Sequence, residues 1–210
     1  MEKKKNLSMF LTSAICLIPC VISIIFYNRF PDRVVTHFDF NGVPDGYSSK
    51  IIAAFGIPIF MFVINIIINL VLDKNIIRGK GGKIIVLIAR WTIPVMAVLI
   101  QSVIIIYSCG IEFNASNYIM FMVGLMIMII GNYLPKCEQN NLVGIKTPWA
   151  LKDKDNWKKT HRFSGYLWVV LGFVLCINTF IRIDFINIIV IIMMLVIPMT
   201  YSYGIYKGCK

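Results

Sequence analysis

Carboxylates are scarce in this chain of 210 residues, with ten Asp and Glu against twenty-one Lys and Arg. None of the ten falls inside the long apolar runs. Proton-coupled pumps usually carry an intramembrane carboxylate or histidine relay, so this lack argues against an ion-coupled transporter. Polar stretches of domain length are also missing, which leaves no room for a soluble domain of ordinary size. The six cysteines form no Cys-x-x-Cys and no metal-ligand spacing, so neither a zinc site nor another metal centre is expected. There are two histidines, His37 and His161, and neither belongs to a nucleophile–base arrangement. A non-enzymatic chain without cofactor follows. Apolar–polar alternation is absent as well, and that excludes barrel strands.

What is present is apolarity in blocks. Hydrophobic residues make up 58% of the chain, and six runs reach the length needed to cross the hydrocarbon core as helices: 7–27, 51–72, 84–107, 118–134, 163–181 and 185–203. The fold class is an all-α integral membrane protein with six transmembrane helices. Alternating sides from the N-terminus, sixteen Lys and Arg fall on one side and four on the other, with Arg90 inside a span. Such a bias in short loops places the richer side, and with it both termini, in the cytoplasm. The first run is too long for a signal peptide's apolar core and lacks a small-residue cleavage site, so it reads as an uncleaved span. Two units are expected: 1–75, two spans with an ordered extracellular loop at 28–50, and 76–210, four spans with a cytoplasmic loop at 135–162.

Polar residues inside the runs are few. Arg90 lies near the cytoplasmic end of the third span, from which its side chain is expected to snorkel to the headgroups. Asn65 and Asn69 share a helix face, and with Gln101, Asn132 and Asn178 they are expected at depth, bonding helices together. Pro58, Pro94 and Pro198 each remove a backbone donor from a span, which predicts kinks.

Two connections carry more than a linker needs. The outer one, "FPDRVVTHFDFNGVPDGYSSK" (30–50), holds two prolines and the turn dipeptides Asn41–Gly42 and Asp45–Gly46. It predicts a small hairpin whose first strand is "VVTHFDF", with Val35, His37 and Asp39 on one face and Thr36, Phe38 and Phe40 on the other. Ser48 or Ser49 is then placed to cap the second span. The inner connection is "GNYLPKCEQNNLVGIKTPWALKDKDNWKKTHRFSG" (131–165). Thr147–Pro148 predicts a helix start, and Trp149, Trp157 and the surrounding lysines predict a helix over 147–162 lying in the headgroup layer. A surface for docking a cytoplasmic protein would look the same.

The two connections resemble known motifs. The outer one is similar to the loop of a small domain of unknown function, through Pro31, Asp32, Val34, His37, Phe38, Gly42, Asp45, Gly46 and Lys50. The inner one resembles the SdpI-type membrane family. That likeness runs through Gly131, Asn132, Leu134, Pro135, Lys136, Asn140, Gly144 and Ile145. It continues through Thr147, Pro148, Trp149, Trp157, Thr160, His161, Arg162 and Gly165. Phe30, Val35 and Lys146 depart from the usual Leu, Pro and Arg, and lysine does not offer the planar fork of arginine. The resemblance implies a six-span protein of the bacterial cell membrane, of the kind that protects its host from a secreted antimicrobial peptide toxin. One such protein also sequesters a transcriptional repressor. The partners implied are the lipid bilayer, a secreted peptide toxin and a cytoplasmic repressor protein, with no direct nucleic-acid binding. A small-solute or lipid transporter, or a membrane-stress protein of the same fold, is the alternative.

Overall fold

The computed structural model describes residues 2–39, 42–74, 79–111 and 113–208. Long helices dominate, as the apolar blocks require: α1 Glu2–Phe26, α2 Ile57–Lys74, α3 Gly79–Ser108, α4 Ala115–Tyr133, α6 Lys154–Ile181 and α7 Asp184–Gly208. A one-turn helix, α5 Pro148–Lys152, precedes α6. Six segments among the described residues are long and apolar enough to cross a membrane. Phe10, Ile25 and Phe180 are among many large apolar side chains left exposed on them, as lipid-facing helices require.

The chain divides into two compact units. The first comprises residues 1–75 and 89–119, the second 76–88 and 120–210, so α3 contributes to both. In the first unit the connection after α1 forms the antiparallel pair β1 Arg33–Phe38 and β2 Pro44–Ser49. A π-turn, Ile52–Gly56, then leads into α2, and Ser49 Oγ accepts from Ile52 N–H at its start. Pro58 follows immediately, the residue that has no N–H to give the preceding turn.

Polar residues inside the first unit bond to each other. Asn65 Nδ2 donates to Ser13 Oγ at 3.1 Å, and Asn69 Nδ2 donates to Asn65 O at 2.8 Å. Arg90 corrects the expectation of snorkelling. It is buried, donating to Asn69 Oδ1 at 3.0 Å and forming an ion pair with Asp73 at the end of α2. An unpaired guanidinium at that depth would be costly, and Asp73 is close enough to compensate it. Gln101 donates to Ser23 Oγ at 2.7 Å and to Ala53 O in the π-turn at 3.1 Å.

Close packing defines the second unit. A Cβ on Gly172 of α6 would meet Gly124 O of α4 at 2.7 Å. Likewise a Cβ on Gly131 of α4 would meet Gly165 O at 2.9 Å. The two pairs are seven residues apart on each helix, two turns, so they line one face. Asn132, expected at depth, is exposed instead, because Gly131 beside it takes the face toward α6.

Candidate functional site

The hairpin is the first of two candidate regions, and its base is fixed by burial. Phe30 and Val34 are buried with Ala53, Ala54, Ile104 and Ile105. Further along, Phe38 meets Tyr107 edge-on at 5.2 Å, and Ser116 Oγ donates to Asp39 O at 2.8 Å. One turn is built as expected: Gly42 has φ +82° and its N–H bonds Asp39 O. Phe40 and Asn41 lie outside the described residues. Asp45–Gly46 is not a turn but part of β2, since register places Gly46 opposite His37. Gly46 is needed there for space, because a Cβ would meet His37 Cβ at 2.6 Å.

His37 therefore lies across the hairpin from Asp45 and pairs with it at 2.5 Å. This pair is exposed, along with Pro31, Asp32, Val43 and Tyr47. Arg33 sits over the Tyr47 ring and Lys50 over Tyr27, at 5.7 and 4.3 Å from the ring centroids. The result is a rigid small sheet with a mixed aromatic, polar and charged outer face.

The second region is the 135–162 connection, where the structure departs from a headgroup-layer helix. Asp153 breaks the helix: its carboxylate accepts from Asp155 and Asn156 N–H and starts α6. Trp157 is consequently buried on a span-forming helix and donates Nε1–H to Cys137 O at 2.7 Å. Trp149 is half-buried, packed against Tyr203 and Tyr206 of α7.

The motif's polar residues are consumed by this packing. His161 stacks on Trp157 with centroids 4.0 Å apart. Its Nδ1–H donates to Trp157 O at 2.9 Å, and Nε2 accepts from Ile145 N–H at 2.9 Å, which fixes the tautomer. Gly144 has φ +120° and lies against both rings, with no room for a Cβ. Asn140 knits the turn before it, accepting from Leu142 and Val143 N–H and donating to Val143 O. It also donates to the sulfur of Cys137, whose thiol burial pushes from 9.0 up to about 11.

Thr147 caps α5 by accepting from Ala150 N–H at 3.1 Å. Its hydroxyl then donates a hydrogen bond to Ser202 Oγ at 2.6 Å, since the Ser202 hydroxyl hydrogen is already given to Asn156 Oδ1 at 2.8 Å. Thr160 donates to the same Asn156 oxygen. Ser202 and Asn156 were not legible as site residues, because their partners lie 46 positions apart in the chain. Gln139 likewise carries no sequence signal, although it donates to Ala150 O and Leu151 O. Asn132, Lys136, Lys146, Pro148 and Arg162 stay exposed, while Pro135 is half-buried against Gly165.

Comparison with known proteins bears on both regions. Residues 136–202 match the SdpI/YfhL protein family, and residues 14–62 match a domain of unknown function, DUF1648. A relative from Bacillus subtilis (strain 168), named immunity protein SdpI, is 30% identical over 207 residues, covering 97% of each chain. The chain belongs to the SdpI family. This member is a multi-pass membrane protein, with the six apolar helices described above. Its two matched segments contain, respectively, the buried Trp157–His161 lock and both strands of the hairpin. No solved structure matches this SdpI-family chain.

Proposed function

We propose that this SdpI-family protein is a non-enzymatic immunity protein of a bacterial cell membrane, guarding the cell that makes it against a secreted antimicrobial peptide. The observation that carries the reading is the end-to-end likeness to a relative named for immunity, at 30% identity. The hairpin supplies the recognition surface, facing outward. Pro31, Asp32, His37 and Asp45 offer contacts; Phe38, Gly42, Gly46 and Lys50 hold its shape. The buried inner motif keeps the 135–162 connection rigid on the cytoplasmic side. Its exposed Lys146 and Arg162 lie on the side where a cytoplasmic repressor would dock.

The test uses the glycines. In Gly42→Val/Gly46→Val, a β-branched residue is strained at φ +82° and a second meets His37. The helices insert regardless, because insertion depends on the apolar runs. At matched membrane levels, cells carrying this variant should lose protection against the cognate peptide, with His37→Ala losing less. Full protection by the double variant would reduce the hairpin to a connector.

One observation favours a second reading. Arg90 is a buried charge inside a span, paired with Asp73 at the membrane edge, and charges held within spans are a feature of substrate pathways in transporters. Flux of labelled peptide or solute into vesicles would separate transport from protection without transport.

A further inference from the structure

An open cleft of about 390 Å³ lies in the second unit, where α4 ends and α6 begins. Lys136, Lys154 and Lys158 line it, with Glu138 as the acid among them. The rings of Pro135 and Trp157 give it an apolar wall. The lysines are exposed, and among the described residues none of the three forms a salt bridge with a carboxylate. Lys136 instead lies over the Tyr133 ring, 4.7 Å from its centroid.

Position decides what such a cleft meets. The fourth membrane-crossing segment ends at Lys136, and Lys154 and Lys158 lie on the first polar turns of α6 before its apolar run begins at 163, so the cleft stands at the level of the headgroups. Three exposed lysines lining one cleft at that level, beside an apolar wall, match an anionic phosphate with an acyl-bearing glycerol beneath it. Lysine suits this role as a flexible point charge with three donors. We infer that the cleft binds the phosphate of an anionic phospholipid headgroup, and that the lipid is a specific partner of this protein. The walls are already rigid. Trp157 is held through its indole N–H, and Gln139, which also lines the cleft, is held by two backbone carbonyls.

The full chain would be purified from nanodiscs of phosphatidylcholine containing titrated phosphatidylglycerol, and the lipids retained would be counted by native mass spectrometry. The protein should retain phosphatidylglycerol in preference to phosphatidylcholine. The triple variant Lys136→Gln/Lys154→Gln/Lys158→Gln should lose that preference roughly tenfold or more. A control with equal charge loss, Lys83→Gln/Lys152→Gln/Lys207→Gln, should keep it. Thermal unfolding would establish that both variants are folded. Undiminished preference in the cleft variant, or equal loss in the control, would overturn the site. Displacement of the lipid by millimolar inorganic phosphate would overturn the lipid as ligand and assign the cleft to a soluble anion.

Discussion

Gly144 condenses the chemistry of the inner motif into one position. At φ +120° it sits in the region that disfavours L side chains, and the Trp157 and His161 rings occupy the space a Cβ would need. The sequence pattern marks Gly144 as a match to the family motif without giving the reason, because the rings it accommodates arrive from residues well beyond it in the chain. Gly144→Ala is expected to destabilise the protein by roughly 2 kcal/mol or more, combining backbone strain with displacement of a stacked pair. Thermal unfolding of the reconstituted protein, followed by tryptophan fluorescence, would measure it; an unchanged midpoint would show that the rings yield freely. His37 makes the opposite case. Alternation along the strand puts it on one face with Val35 and Asp39, but its ion-pair partner is Asp45 on the other strand, because contacts across a hairpin are set by register.

Among the elements, the helices were legible and their contacts were not. Runs of apolar residues specify spans whatever the partner, so hydropathy alone locates all six. The start of α6 is hidden in the sequence because Lys154–Arg162 is polar on its exposed side and conceals a buried stripe of Asn156, Trp157, Thr160 and His161. That stripe has helical spacing and so continues a span rather than lying on a surface. The glycine pairs joining α4 and α6 are equally silent in sequence, since Gly124 and Gly172 stand in ordinary apolar surroundings. In membranes, helices associate through close backbone approach rather than through exclusion of water. Gly172→Val should therefore force α4 and α6 apart, lowering the yield of monodisperse protein in size-exclusion chromatography. Gly204→Val, with nothing within 4 Å of its Cβ, should leave the yield unchanged. Equal behaviour of the two variants would mean that α6 shifts to make room at no cost.

For the molecule as a whole, orientation rests on charge. Sixteen Lys and Arg on one side against four on the other predict that reporters fused after Lys50 report outside and those after Lys210 inside. An inward signal at Lys50 would invert the placement of both candidate regions. Length then adds a constraint of its own. At 1.5 Å per residue the 28 residues of α6 extend about 42 Å, whereas the hydrocarbon core is about 30 Å thick. The excess equals about two turns of an upright helix, and the polar first turns, rich in Lys154, Lys158, Lys159 and Arg162, are the ones that stay outside it and that carry Trp157 and His161. A thicker bilayer would draw those charges toward hydrocarbon and a thinner one would lift the whole stacked pair into water. The helix that holds the inner motif together is thus longer than the hydrocarbon it crosses, so the depth of the Trp157–His161 pair is set by the thickness of the membrane around it.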